Sequence, residues 1–246
     1  MLKLIRYPAC VLCLILFLFI ATSFTLTAAK NNLSYPPRVT ELITVNKPSP
    51  IILKYHEWNL SSAGISFEVF NYAFKGYHYL LQKQLLRNTY FITIVDFSKP
   101  STQQRLFVIN LTSGKVLFNT LVAHGRNTGL QYATEFSNKT SSLESSLGFY
   151  ITMDTYIGNN GYSLKLNGCE KGFNDKALKR NIVLHGAAYV SNEFIQQNGY
   201  LGRSYGCPAV PLELTKEIIN TIKDGACLFI YHPGKKYLQQ SVFINH

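Results

Sequence analysis

Cys207 stands in Gly202-Arg203-Ser204-Tyr205-Gly206-Cys207-Pro208, and His185 ends the earlier stretch Ile182-Val183-Leu184-His185-Gly186. A thiol at neutral pH is mostly protonated, and the thiolate is the strong nucleophile. An imidazole brought beside it can take the proton and later hand it to a leaving amine. The apolar run before His185 predicts a buried strand that holds the ring rigidly at its end. Gly206 keeps a Cβ out of a substrate's path, and the N–H groups of Gly206 and Cys207 are expected to converge on an oxyanion. Residue types and spacing leave a second reading open, in which the cysteine is packing and the histidine a satisfied core residue.

The elements that must position this pair are mostly strands. Residues 90–97, 105–111, 115–123, 147–154, 162–166, 181–184 and 226–231 are short β-rich runs separated by Gly, Ser and Asn turns. A helix is expected after Pro211 as far as Lys223, where Asp224-Gly225 ends it. From Ser62 to Leu86 the period changes: Phe70, Ala73, Phe74, Tyr77, Leu80, Leu81 and Leu85 recur three or four apart and give a helix one apolar face. The fold class read from this is mainly β, a sandwich or small barrel with a few helices, preceded by a short helical segment.

The expected organisation has four parts. Lys3 and Arg6, the apolar run from Ala9 to Ala21, and Thr27-Ala28-Ala29 read as a secretory signal over residues 1–29, cleaved after Ala29 or retained as a membrane anchor. Residues 30–60, broken by Pro36, Pro37, Pro48 and Pro50, read as an extended lead. The helical segment occupies 61–87 and the β domain 88–240. Export to the periplasm or cell envelope follows from the leader. Cleavage there removes Cys10 and Cys13 and leaves Cys169, Cys207 and Cys227, an odd number, so at least one thiol stays free. Cys169 and Cys227 are the pair open to a disulfide.

The composition narrows the function classes. The chain has 246 residues, 47% of them hydrophobic and only 15% charged, which excludes a disordered chain. Its 24 Lys and Arg against 13 Asp and Glu give a net charge of +11, which favours anionic partners. No nucleic-acid motif and no C-x-x-C spacing occurs, so neither nucleic acid nor a metal is expected as a partner.

Histidine-glycine followed by S-x-G-C resembles the signature of the murein L,D-transpeptidase catalytic domain family. V-D-F-S-K-P-S from Val95, V-A-H-G from Val122, F-S-N from Phe136, S-S-L-G-F-Y from Ser145, R-N-I-V-L-H-G-A from Arg180 and G-R-S-Y-G-C-P-A from Gly202 are all similar to that family, over about residues 90–235. The resemblance implies a cysteine enzyme that acylates itself on a peptidoglycan tetrapeptide stem, expels the terminal D-alanine and passes the acyl group to an amine. It implies Cys207 as nucleophile, His185 as general base, Gly206 as part of the oxyanion site, and Ser204 and the Gly186 carbonyl as groups that orient the pair. It implies no cofactor and no partner beyond the stem peptides, with membrane contact only through an uncleaved leader.

Two positions depart from the commoner signature: Tyr205 stands where histidine is usual, and Ala209 where a basic or amide residue is usual. Arg203 is the expected replacement for carboxylate binding, with Tyr205 and His124 as further residues lining the substrate cleft. Hydrolysis at the same site, as an L,D-carboxypeptidase, and a non-catalytic wall-binding module are the alternatives. An activated Cys207 is expected to titrate below the ordinary thiol range.

Overall fold

The structure, a computed structural model, describes residues 49–246; the leader and most of the extended lead lie outside them. The end of that lead is helical. Helix α1 (Pro50–Glu57) has Ser49 as its cap, whose hydroxyl accepts the N–H of Ile52, and Pro50 at its first position. Proline breaks a helix interior but suits a helix start, where no N–H is needed. Helix α2 (Phe67–Gln82) begins at Ser66 and buries Val69, Phe70, Ala73, Phe74, Gly76, Tyr77 and Leu80; of the expected apolar face, Leu81 is exposed, and Leu85 lies past the helix end and is exposed too.

Gly76 sits inside α2, where glycine ordinarily costs about 1 kcal/mol relative to alanine. Its reason is contact: a Cβ there would lie 2.0 Å from Cζ of Phe149. Gly76→Ala is therefore expected to lower stability by about 1–3 kcal/mol in chemical denaturation, because the overpacking outweighs the helix-propensity gain. An unchanged or raised midpoint would show that the helix does not pack this closely on the ring.

Eight strands form one sheet: β1 (Phe91–Asp96), β2 (Leu106–Asn110), β3 (Val116–Thr120), β4 (Gly148–Gly158), β5 (Gly161–Gly168), β6 (Val183–Gly186), β7 (Ala209–Val210) and β8 (Cys227–Tyr231). Their order is β3-β2-β1-β8-β4-β5-β6-β7. The pairs β1–β8 and β6–β7 are parallel and the others antiparallel. The sheet nearly closes on itself. Past β3 the chain reaches the opposite edge, where Ala123 bridges Ala209 and its N–H donates to the Ala209 carbonyl at 2.8 Å. Two residues further on, Gly125 bridges Ser204 in the parallel sense. Bringing the two edges together pairs backbone groups that an open sheet would leave exposed. The fold is thus mainly β and barrel-like, with five helices among the described residues.

The predicted strands are present with shifted ends. The run at 115–123 stops as a strand at Thr120, because residues 121–125 leave β2 to make the closing bridges. Helix α4 (Leu212–Ile222) follows Pro211, as expected. Besides α1, two further helices were not anticipated: α3 (Asn192–Asn198), capped by Ser191, and α5 (Lys235–Gln240).

Two buried charges hold the barrel's ends. Arg105 is fully buried: Nε and Nη2 donate to the Val122 carbonyl at 3.1 and 2.8 Å, and Nη1 donates to the Lys99 carbonyl at 2.9 Å. Its Nη2 also faces His124 Nδ1 at 2.8 Å, and the guanidinium lies over the Phe97 ring. These bonds fix the segment that closes the sheet. Glu170 Oε2 accepts the N–H of Phe149 and the Tyr237 hydroxyl, and Oε1 accepts the Ser241 hydroxyl, which ties α5 to the β4 strand.

Candidate active site

His185 lies on β6 and Cys207 just before β7, so the parallel pairing of these two strands brings the expected pair to one place. The register sets His185 beside Ala209, two residues past the cysteine. Both side chains line a cleft of about 440 Å³. The chain between them builds its wall: Tyr189, Phe194 on α3, Tyr200, Gly202, Arg203, Ser204 and Tyr205 all face the cleft, joined by Arg126 and Asn160. Gly202 is needed where it is, since a Cβ there would lie 2.4 Å from the Tyr189 Cβ.

The imidazole is oriented by its own neighbour. Nδ1 of His185 meets the Gly186 carbonyl at 2.9 Å, which makes Nδ1 the donor and leaves Nε2 with a lone pair. Gly186 does not line the cleft; it permits α4 to approach, and a Cβ there would lie 2.2 Å from Thr215 Oγ1. Burial pulls the His185 pKa below the ordinary imidazole value, with the Gly186 bond opposing, so the ring is held neutral.

The sulfur of Cys207 is cupped by the chain that leads into β6. Its Sγ donates to the Asn181 carbonyl at 3.7 Å and receives the Val183 N–H at 3.5 Å. Cys207 is 9% exposed, and burial pushes its thiol above the ordinary range. The Val183 N–H and the nearby Arg180 guanidinium oppose that rise. The expectation of a thiol depressed in the free protein is therefore corrected. Desolvation dominates, and thiol and imidazole rest neutral together.

Ser204 acts on the turn rather than on the imidazole. Its hydroxyl donates to the Cys207 carbonyl at 2.6 Å and accepts the Gly206 N–H at 3.1 Å. The Gly206 N–H, expected in an oxyanion site, is thus already spent. Cys207's own N–H has no protein acceptor among the described residues and is the donor left for a developing oxyanion. Gly206 has a φ of 120°, open to glycine but not to a residue with a side chain, and a Cβ there would press on the Glu144 carbonyl.

The substrate-binding expectations divide. Tyr205 is 70% exposed at the cleft rim. Arg203 lines the cleft, yet its Nη1 donates to the Arg126 and Gly129 carbonyls, so it also braces the loop opposite. His124 does not line the cleft. It is 1% exposed, between Arg105 and the Gly129 carbonyl, and burial beside that guanidinium lowers its pKa to about 4. Its role is to pack the sheet closure. Cys169, Cys207 and Cys227 are all free, so the Cys169–Cys227 disulfide left open by the sequence is not formed.

Two residues of the site were missed. Arg126 is exposed in the cleft, and its guanidinium has no carboxylate or hydrogen-bond acceptor among the described residues. Its signal was position, directly after the His124-Gly125 pair that ends the sheet closure. Arg180 donates to the carbonyls of Ser137 and Glu144 and to the hydroxyls of Ser142 and Ser146, which fastens the 137–146 loop beside the Cys207 turn. Among the described residues no three His, Cys, Asp or Glu side chains gather as a metal site would require.

A near-closed β barrel with a free cysteine just before one strand and an oriented histidine on the strand beside it, both lining one cleft, defines the class. The L,D-transpeptidase catalytic domain model matches residues 61–231, and the chain belongs to that family, whose members act on peptidoglycan. No curated protein matches the sequence. Among solved structures, an L,D-transpeptidase from Mycobacterium smegmatis is similar at 10% identity and TM-score 0.36, over 58% of this chain and 59% of that one. An L,D-transpeptidase from Stackebrandtia nassauensis is 15% identical at TM-score 0.36, over 68% of both chains. The helical cell shape determining protein Pgp2 of Campylobacter jejuni is 13% identical at TM-score 0.41, over 67% of this chain and 57% of that one.

Proposed function

We propose that the protein is an exported cysteine L,D-transpeptidase that works in the cell envelope on peptidoglycan tetrapeptide stems. Cys207 Sγ attacks the carbonyl that precedes the terminal D-alanine while its proton passes to Nε2 of His185. The Cys207 N–H receives the oxyanion. The tetrahedral centre collapses with cleavage of the C–N bond, and the His185 proton goes to the departing D-alanine amine, leaving a thioester. An amine of a second stem then gives a proton to His185 and attacks the thioester. The new amide forms as the S–C bond breaks, and His185 returns the proton to sulfur.

The observation that carries this reading is the shared cleft of Cys207 and His185, with Nδ1 tied to Gly186 and Nε2 left as the base. Because both groups rest neutral, the proton moves as substrate is attacked rather than beforehand. Arg180 and the Val183 N–H are the groups that support the charge on sulfur as it develops. Incubation with tetrapeptide murein tests the reaction: cross-linked dimers are expected, whereas tripeptide alone would assign hydrolysis by the same thioester.

The pH profile follows from the imidazole. His185 must be neutral to accept the proton, and its pKa is lowered. The acid limb of kcat/KM is therefore expected below the ordinary imidazole value; a limb at or above that value would contradict a buried base.

Ala209 leaves the signature's usual polar position empty, and Arg126 is the unpaired cation that can take its place against the stem's carboxylate. Arg126→Ala is expected to raise KM by about 10–100-fold with little change in kcat, the cost of one charged hydrogen-bond partner. Arg203→Ala is expected to raise KM as well, partly by loosening the loop that carries Arg126. Equal losses of stability and affinity in Arg126→Ala would contradict a binding role.

A further inference from the structure

The Ser145-Ser146-Leu147 stretch leads into β4, and its first residue meets the Cys207 turn. Ser145 is fully buried, and its own backbone is tied on both sides. Its N–H donates to the Thr128 hydroxyl at 2.7 Å, and its carbonyl accepts the Ser137 N–H at 3.0 Å. The hydroxyl sits between two other pieces of chain: Oγ accepts the Gly125 N–H at 3.0 Å and donates to the Gly206 carbonyl at 3.2 Å. Both bonds have a fixed direction, since a backbone N–H can only donate and a carbonyl can only accept.

The Gly206 carbonyl belongs to the peptide unit whose other end is the Cys207 N–H. A trans peptide is planar, so its C=O and N–H point in opposite directions. With the carbonyl held against buried Ser145, the Cys207 N–H is turned away from Ser145. Ser204 holds the peptide units on either side, through the Gly206 N–H and the Cys207 carbonyl, and leaves the 206–207 unit alone. Among the described residues, Ser145 is the one hydrogen-bond partner that unit has. Gly206 does not fix it either, because glycine populates both signs of φ and offers little resistance to a flip. In a flipped unit the N–H would face Ser145, and the carbonyl's partial negative charge would stand where the oxyanion must form.

Building on the transpeptidase reading, we propose that Ser145 is a positioning residue that keeps the Cys207 N–H turned toward the substrate carbonyl. Its hydroxyl has no bond to the thiol or the imidazole, whose partners are Asn181 and Val183 for one and Gly186 for the other. Its effect is therefore confined to the step in which negative charge develops on the carbonyl oxygen. Substrate binding and the plain nucleophilicity of the sulfur do not depend on that donor. Because the same Oγ takes the Gly125 N–H, one side chain also joins the catalytic turn to the segment that carries Arg126.

Ser145→Ala in the full chain tests this with two reagents for one sulfur. Acylation of Cys207 by a disaccharide tetrapeptide, followed by intact mass, is expected to slow by about 10–100-fold at saturating substrate. The half-saturating concentration should change by less than about threefold, since the donor acts in the transition state. Alkylation of Cys207 by iodoacetamide, a displacement that forms no oxyanion, should also change by less than about threefold. Ser145→Cys is close in size with a weaker donor, and it keeps the test in force if the alanine variant does not fold. Its acylation rate at Cys207, located by peptide mapping, should fall between those of the alanine variant and the unsubstituted protein. Equal slowing of acylation and alkylation would mean that the thiol or its base has been displaced, and would overturn the role. A loss confined to substrate affinity would overturn it too. Full-rate acylation in both variants would overturn this role alone, whereas an unsubstituted protein that forms no acyl adduct would overturn the transpeptidase reading and this role with it.

Discussion

His185→Asn is expected to lower kcat/KM for thioester formation by about 10²–10⁴-fold, the range for removal of a positioned general base. The side-chain amide can still donate to the Gly186 carbonyl, so the loss isolates proton transfer from orientation. The neighbouring cleft side chains are poor substitutes. Tyr189 is pushed up to about 12 by burial, next to Cys207, and is protonated at neutral pH. Arg126 and Arg203 are cations without a lone pair to offer. A loss smaller than about tenfold, with Cys207 still acylated, would mean that the base is elsewhere.

Arg105→Met is expected to cost about 3–5 kcal/mol of stability in denaturant unfolding. The methionine fills much of the space but leaves the Val122 and Lys99 carbonyls and His124 Nδ1 without their donor, each a buried group with a penalty of about 1–3 kcal/mol. The same bonds position Ala123 and Gly125, which bridge Ala209 and Ser204 on either side of Cys207. Activity should therefore fall in the fraction that still folds, with kcat affected as well as KM. A loss under about 1 kcal/mol would show that water replaces the guanidinium, and that the closure does not depend on it.

The strands and the cysteine–histidine pair were legible because they rest on local pattern: apolar β-formers between turns, and a glycine-flanked thiol. Helix α1 was not, since proline reads as an interruption until the Ser49 cap places Pro50 at a helix start. The direction of the Cys207 pKa could not be read either. It is set by how deeply the finished barrel buries the sulfur, which no run of neighbours along the chain specifies. Gly206 looked like an oxyanion donor because sequence shows its N–H but not the Ser204 hydroxyl that takes it. His124 looked like a cleft residue by analogy with His185, both being histidines before glycine. What separates them is Arg105, a partner from just ahead of β2 whose bonds turn the ring inward. Arg126 and Arg180 gain meaning only from what faces them: an open cleft for one, and the loop beside the Cys207 turn for the other.

The alternatives of hydrolysis and simple wall binding divide at the covalent step. Both enzymatic outcomes pass through a thioester, and a binding module forms none. Because the resting thiol is raised rather than depressed, slow alkylation near neutral pH no longer argues for a binding module; acylation by substrate is the discriminating event. Intact-mass measurement after brief exposure to a disaccharide tetrapeptide is expected to show an adduct equal to the substrate less D-alanine, mapped by peptide analysis to Cys207 and absent from Cys207→Ala. An unmodified protein that has nevertheless released D-alanine, or an adduct on Cys169 or Cys227, would contradict Cys207 as the nucleophile.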